Sequence, residues 1–233
     1  MLGFAFGQGQ GVQQLQAGAD RDASRHTEGM VYAGLTSDRW YAQGRLGFGQ
    51  FRQDVNRQLL LGNAAEGVWT RYGGHYQVAY GESGLRWNRG NVRIAPFVSM
   101  EYARSDRDAF AEEGAGGFGL RSDAQSQARW QAAVGLRAAR QWNFGGGRSL
   151  DVGAHAQWFR TLGMDGEAMD ASFVGLQQWS PLLGIGLSRH GSLAGVGLDA
   201  RLSPRAMFKL GYDYERGQYD SAHGMTAALN VAF

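Results

Sequence analysis

The chain has 233 residues, of which 37 are glycine, 3 are proline and none is cysteine, and 19% are charged. Without cysteine, disulfide bonds and thiolate metal sites are excluded, and no run of about 18 consecutive apolar residues is present, which excludes a membrane-spanning helix. The 23 basic side chains nearly balance the 21 acidic ones and are dispersed along the chain, so the charge pattern predicts no nucleic-acid partner.

Along most of the chain, apolar residues alternate with small or polar ones, which indicates β-strands with one apolar and one polar face. The first such segment is residues 2–8. The apolar positions of the later segments are, in chain order, Trp40, Ala42, Leu46 and Phe48; Val92, Ile94, Val98 and Met100; Trp130, Ala132, Val134, Leu136 and Ala138; Leu150, Val152, Ala154, Ala156 and Trp158; Ala194, Val196, Leu198, Ala200 and Leu202; and Phe208, Leu210, Tyr212 and Tyr214. We expect about ten strands, because barrels of the outer-membrane class have an even number of strands.

One strand between these segments breaks the regular pattern. Tyr76 and Tyr80 begin it, whereas Leu85 follows the opposite alternation. We interpret the change as a one-residue register shift at a β-bulge near residues 81–84. On this interpretation Glu82 points to the polar face.

The chain ends in a strand whose alternate residues are apolar up to the terminal aromatic residue. These residues are Met225, Ala227, Leu229, Val231 and Phe233. A closing strand with one apolar face is how an outer-membrane barrel ends. Because an exposed strand edge is a template for pairing, we predict that these five residues form the recognition signal for the barrel-assembly machinery.

The connections between the strands alternate in length. Short turns are predicted at residues 37–39, 88–91, 143–148 and 203–205, and longer, mostly polar loops at residues 10–27, 54–68, 105–127 and 217–223. Short periplasmic turns and long extracellular loops are typical of outer-membrane barrels. The fold class predicted is therefore all-β, an antiparallel transmembrane β-barrel. A soluble barrel enzyme or binding protein has the same periodicity, but the length of several strands and the aromatic residues near strand ends favour the membrane barrel.

The faces opposite the apolar ones predict a polar lumen. The charged residues predicted to line it are Arg45, Glu82, Arg93, Glu101, Arg137, Asp151, Asp199, Arg201, Lys209, Asp213 and Glu215. Both signs occur in similar number, which is typical of a hydrated lumen with cross-strand ion pairs. A polar conduit that hydrates a passing chain or holds a plug helix predicts the same residues, and the sequence leaves both interpretations open.

Other motifs give no support for a cofactor, a metal or catalysis. Residues 195–200 read G-V-G-L-D-A, which fits a dinucleotide-binding pattern, but Pro204 and further strands follow where a helix is needed. The five histidines never lie two or four residues apart, as metal ligands commonly do. Glu112 and Glu113 lie in a Gly-rich segment that we expect to be a solvated loop, since the spacing of a calcium loop is missing.

Several segments together resemble the C-terminal β-barrel translocator of type V autotransporters. They include A-S-F-V-G at residues 171–175, L-A-G-V-G-L-D-A-R-L-S-P at 193–204, F-K-L-G-Y-D-Y at 208–214 and the terminal A-L-N-V-A-F. The resemblance covers most of the chain. It implies a twelve-stranded barrel in the outer membrane of a Gram-negative cell, which anchors an N-terminal passenger and exports it to the cell surface.

The resemblance also implies the domain organisation and the partners. Residues 1–233 are expected to form one barrel domain that lacks its first two strands, the plug helix and the passenger. The expected partners are outer-membrane lipid, the barrel-assembly machinery and a passenger segment in cis. Catalysis in this family usually belongs to the passenger, so we do not expect this chain to be an enzyme. A self-contained small porin or adhesin-like barrel remains the alternative.

Overall fold

The computed structural model describes residues 1–14, 20–62, 64–183 and 188–232. Fifteen strands and one short 3-10 turn at Gly116–Phe118 are present in this part of the chain. In chain order the strands are β1 (Leu2–Gln14), β2 (Arg21–Thr36), β3 (Trp40–Leu61), β4 (Ala64–Leu85), β5 (Trp87–Arg89), β6 (Val92–Arg107), β7 (Phe110–Ala111), β8 (Leu120–Ser122), β9 (Gln125–Gly145), β10 (Arg148–Asp165), β11 (Ala168–Phe173), β12 (Ser180–Leu183), β13 (His190–Ser203), β14 (Ala206–Gly217) and β15 (Ser221–Val231). A helix long and apolar enough to cross a membrane does not occur among the described residues.

Ten long strands form one sheet in which sequence neighbours are also spatial neighbours. The order is β1-β2-β3-β4-β6-β9-β10-β13-β14-β15, with every pair antiparallel, and β5 adds a short pairing with β6. The sheet curls as a half-barrel. The prediction of an antiparallel barrel with about ten strands in this chain is confirmed. Within the described residues, β1 and β15 are the two edges of the sheet.

The strands turn where short connections were predicted, but two of the predicted long loops are strands. The chain turns tightly after Thr36, at Gly90, after Gly145 and after Ser203. In contrast, β3 and β4 stay paired until a turn at Gly62, whose φ is +63°. The prediction of a loop at residues 54–68 is therefore wrong. The prediction of a loop at residues 10–27 is also wrong, because β1 and β2 stay paired from Gln10 opposite Arg25 to Gln14 opposite Arg21. Ladder hydrogen bonds join backbone groups, so a strand continues beyond the point where its side chains stop alternating.

The predicted bulge in β4 is also wrong. The strand pairs with β3 from Leu61 opposite Ala64 to Trp40 opposite Leu85 without a register shift. Tyr76 and Tyr80 share the polar face with Glu82. Tyrosine is apolar in its ring and polar at its tip, so its place in the apolar alternation was misleading. A shift in register occurs instead in β10, between Thr161 and Gly163.

Contacts between distant strands show that the polar face is concave. Arg137 on β9 lies 2.8 Å from the Tyr41 hydroxyl on β3, although two strands separate them. Neighbouring strands are about 4.8 Å apart, and side chains stand roughly perpendicular to a sheet. Side chains three strands apart therefore meet only when the sheet curves toward their face. The apolar residues of the alternation lie on the opposite, convex face.

Aromatic rings on the concave face lie over glycines of the next strand. The pairs are Tyr76 over Gly49, Tyr41 over Gly84, Phe97 over Gly135 and Phe159 over Gly191. A Cβ atom at Gly84 would come within 2.5 Å of the Tyr41 ring, so these positions need glycine for the close approach. Phe97 and Phe159 are 3% and 4% exposed, which shows that the rings pack against the wall.

We expect the face of the sheet, rather than the residue type, to decide whether a charge is tolerated. Val196 lies on the convex face and is 56% exposed, and this face meets lipid in an outer-membrane barrel. Val196→Arg should therefore destabilise the folded barrel by about 2–4 kcal/mol. Semi-native gel electrophoresis across a temperature series measures this loss.

Gly197→Arg is the matched control, because it places the same charge one residue away on the concave face. A Cβ atom at Gly197 would be 3.8 Å from its nearest neighbour, the Leu210 carbonyl oxygen, so the side chain has room. Equal losses of folded barrel from the two substitutions would contradict the assigned faces.

Candidate functional site

The eleven charged residues predicted to line a lumen all lie on the concave face. Seven strands carry them: β3, β4, β6, β9, β10, β13 and β14. The pairing register places them on the side of the sheet that carries Tyr41 and Tyr80. Nine of the eleven take part in ion pairs, and Arg201 and Glu215 have no ion pair among the described residues.

Glu82 is the centre of the most buried polar group on this face. Arg137 donates two hydrogen bonds to its carboxylate, at 2.5 and 2.7 Å. The Tyr41 hydroxyl and the Gln43 side-chain amide donate at 2.9 and 3.0 Å, and the Tyr80 hydroxyl is a fifth donor. The Glu82 side chain has no exposed surface. We call these five residues the Glu82 cluster.

Contacts within the Glu82 cluster offset the free energy that is lost when its carboxylate leaves water. A buried carboxylate needs a counter-charge and hydrogen bonds to its oxygens, and the planar guanidinium of Arg137 supplies both in a fork-to-fork geometry. The same guanidinium lies 3.9 Å from the ring centroid of Phe97 on β6, a cation–π contact. Arg137 thereby fastens β9 to β4 across the intervening strand β6.

The other ion pairs of the concave face are more exposed. Arg45 and Arg129 both approach Glu101, at 3.6 and 3.4 Å. The remaining pairs are Arg93 with Asp151, Lys209 with Asp199 at 3.3 Å, and His155 with Asp213 at 3.1 Å. Positive and negative groups are thus interleaved over the whole surface. A wall of this kind holds water.

A second polar site lies in the segments that connect β6 to β9 and β10 to β13. These segments form a small sheet of their own, in the order β12-β11-β8-β7. Arg57 on β3 donates two hydrogen bonds of 2.6 Å to Glu112 next to this sheet, and these bonds raise the pKa of the Arg57 guanidinium. Glu112 is 7% exposed, so the expectation of a solvated loop there is wrong.

The small sheet does not show in the sequence as an alternation, because its strands are too short. They contain only two to six residues. The acidic pair Glu112-Glu113 was the available signal, since Glu112 binds Arg57 and Glu113 joins Trp69 of β4 by backbone hydrogen bonds of 2.9 Å. Among the described residues no group of three His, Asp or Glu side chains could hold a metal ion, and the G-V-G-L-D-A segment lies inside β13.

Comparison with known proteins decides the family. The chain matches the family model "Autotransporter beta-domain" over residues 1–213. This chain belongs to that family. Its fold is similar to the translocator domain of the autotransporter NalP from Neisseria meningitidis, with a TM-score of 0.69, 14% identity and coverage of 100% of this chain and 82% of that one.

Curated relatives are longer than this autotransporter β-domain. An extracellular serine protease of Serratia marcescens is 26% identical over 172 residues, which are 74% of this chain and 16% of the relative. Esterase EstA of Pseudomonas aeruginosa is 24% identical over 232 residues, or 95% of this chain and 35% of the relative. This chain thus spans about a third or less of their lengths. The predicted family and the predicted location in the outer membrane are confirmed.

We expect the Glu82 cluster to contribute more stability than any exposed ion pair of the same face. Arg137→Met leaves the Glu82 carboxylate buried without its cation, which should cost ~3 kcal/mol, the lower end for a buried pair because Arg137 is partly exposed. Lys209→Met is the control, since both partners of that pair are about half exposed and such pairs contribute less than about 1 kcal/mol. Semi-native gels of the folded barrel measure both, and similar losses would show that burial of Glu82 contributes nothing.

Proposed function

We propose that this β-domain anchors its polypeptide in the outer membrane and exports an N-terminal passenger to the cell surface. The observation that carries the proposal is the concave face, on which eight of the eleven predicted lumen charges are paired with one another. Membership of the autotransporter β-domain family supports it. The relatives are named as a protease and an esterase, and we assign activities of that kind to the passenger rather than to this barrel.

The paired charges suit the passage of an unfolded chain. An extended polypeptide inside a barrel exposes its backbone amide and carbonyl groups, which need water or polar partners. Interleaved positive and negative groups keep the wall hydrated. Because most of these carboxylates already have a cation, a passing side chain of either charge gains little free energy by replacing one of the partners. The rings that lie flat over glycines leave the centre of the barrel free.

We also propose that two strands and a plug helix N-terminal to residue 1 complete a twelve-stranded barrel in the longer protein. The edges of the described sheet support this proposal, since β1 and β15 are each paired along one side only. Lipid does not solvate a free strand edge. Two further strands between these edges would supply the missing hydrogen bonds and close the sheet.

Disulfide cross-linking tests export through the lumen, because this chain has no cysteine of its own. The full-length protein carries one cysteine in its passenger and a stably folded reporter that arrests export midway. Gly211→Cys places a second cysteine on the concave face, where no atom lies within 4 Å of the position. Tyr212→Cys is the control on the convex face, one residue away. We expect the passenger to cross-link to position 211 and not to position 212.

Equal cross-linking at positions 211 and 212 would contradict passage through the lumen. A passenger that reaches the surface of intact cells, shown by protease accessibility, without ever cross-linking to position 211 would also contradict it.

The final strand supports a second partner, the barrel-assembly machinery. Met225, Ala227, Leu229 and Val231 lie on the convex face of β15 in register with β14, and Phe233 lies outside the described residues. We propose that these five residues together form the assembly signal, since an apolar edge strand at the chain end is available for templated pairing.

Deletion of Phe233 should therefore lower the amount of folded barrel in the membrane much more than it lowers synthesis. The measurement compares the protease-resistant, heat-modifiable band in outer membranes with total protein. Asn230→Ala changes the same strand on its concave face and should insert normally. Normal insertion of the Phe233 deletion would refute the assembly role.

A further inference from the structure

Five of the arginines on the convex face lie beyond its apolar residues, at the strand ends away from the short turns. They are Arg25, Arg52, Arg104, Arg160 and Arg216, and all are exposed. Each shares its face with apolar residues lower on its own strand, as Arg52 does with Phe48 and Arg160 with Trp158. We call these five residues the arginine belt. Lipid-facing charges near the middle of a bilayer destabilise a barrel by about 2–4 kcal/mol. The distance of the five arginines from the bilayer midplane therefore decides whether they are tolerated.

The arginine belt lies at the extracellular edge of the apolar band. Arg52 comes twelve residues after Trp40, the first residue of β3, and Arg104 comes twelve residues after Val92, the first residue of β6. Both strands begin at a short, periplasmic turn. A tilted strand crosses the bilayer in about 9–11 residues. The arginines therefore lie just above the hydrocarbon region, at the level of the headgroups of the outer leaflet.

Two members of the belt form an unusual pair. Arg25 on β2 and Arg52 on β3 are directly opposite in the register, and like charges in this position repel each other. Within the described part of the chain, neither has a carboxylate within 4 Å. This contrasts with the concave face, where most charges are paired. The Arg25–Arg52 pair is therefore free to bind an anion from outside the chain.

The surroundings of the Arg25–Arg52 pair indicate which kind of anion fits. Polar side chains line the same depression as the two arginines, namely Gln8, Thr27, Gln50 and His75. Its one carboxylate is Asp108, which lies next to Gly73, the β4 residue opposite Arg52, but forms no ion pair with either arginine. Lower on the wall, toward the membrane, Phe6 and Phe48 are 78% and 56% exposed. The site therefore combines two guanidinium groups, amide and hydroxyl groups, and an apolar surface beneath them.

We propose that the Arg25–Arg52 pair binds the phosphate groups of a phosphorylated glycolipid in the outer leaflet of the outer membrane. Guanidinium groups bind phosphate through paired, charge-assisted hydrogen bonds. Two guanidinium groups side by side carry two positive charges, which equal the two negative charges of a phosphate monoester. The amide and hydroxyl groups meet the sugar hydroxyls, and the aromatic residues below meet the acyl chains. The inference depends on the location of the barrel and not on export of a passenger.

Two arginines of the convex face, one inside the arginine belt and one outside it, are suitable controls. Arg104 has its charge held by Asp106, with hydrogen bonds of 3.0 to 3.1 Å. Arg140 lies at the opposite, periplasmic edge of the band, opposite Val92 and over the ring of Trp142. Neither should take part in binding the outer-leaflet phosphates.

The test uses the protein folded in the outer membrane, extracted into a mild detergent and freed of lipid. It is titrated with bisphosphorylated lipid A, and the rise in unfolding temperature gives the half-saturating concentration. The Arg25→Gln/Arg52→Gln double variant should need about tenfold more lipid, the loss expected for two guanidinium–phosphate contacts. Arg104→Gln and Arg140→Gln should respond like the natural protein. An unchanged unfolding temperature without lipid shows that each variant is folded.

Three results would overturn the proposal. They are equal half-saturation for the double variant and the natural protein, an equal response to lipid A from which both phosphates have been removed, and binding of free pyrophosphate as tight as that of lipid A. The last would show a site for a soluble anion rather than a lipid. Should the double variant fail to fold, Arg25→Lys/Arg52→Lys replaces it, because it keeps both charges while losing the forked hydrogen bonds, and it should bind lipid A measurably more weakly.

Discussion

Every backbone amide and carbonyl group that lies in lipid has to find its hydrogen-bond partner inside the protein. The sheet meets this constraint with a simple meander, in which each strand pairs with the strand before it and the strand after it. The constraint explains why the strands of the main sheet are long and why, among the described residues, none of them leaves the chain order. It places no demand on the side chains, so the two faces are free to differ.

The wall is stabilised without a central apolar core. Among the described residues, the buried apolar side chains are few, and Phe97 and Phe159 are the largest of them. Both lie flat over a glycine of the neighbouring strand. The Glu82 cluster adds a polar equivalent, since it joins β3, β4 and β9 through one occluded carboxylate. Packing in this molecule is therefore distributed along the wall, which leaves space inside the curve.

Charged side chains are paired on the concave face and partly unpaired on the convex face. The difference corresponds to the surroundings, since the concave face lines the lumen and the convex face contacts lipid. On the concave face, carboxylates and guanidinium groups neutralise one another within the chain, which suits a surface that an unfolded polypeptide has to pass. On the convex face, the charge at the extracellular edge is all positive where Arg25 meets Arg52. Anionic headgroups would supply the counter-charge that the chain does not place within 4 Å of this pair.

The sequence by itself determined which residues share a face, because a period of two is a local property of a strand and needs no knowledge of its neighbours. Val134 and Arg137 were assigned to opposite faces on this ground, and tight turns were located at residues 37–39 and 203–205. The same local pattern failed at Tyr76 and Tyr80, whose amphipathic rings fit either face, and along residues 54–68, where the ladder continues without alternation.

Only the tertiary structure decided which residues meet. Arg137 and Glu82 are 55 positions apart, and their contact depends on the register of two strand pairs, β4 with β6 and β6 with β9, and on the curl of the sheet. The small sheet is another case, because it joins residues 110–122 to residues 168–183, which come from different connections. Pairing across strands is set by register and curvature, and neither leaves a trace in the spacing of residues along one strand.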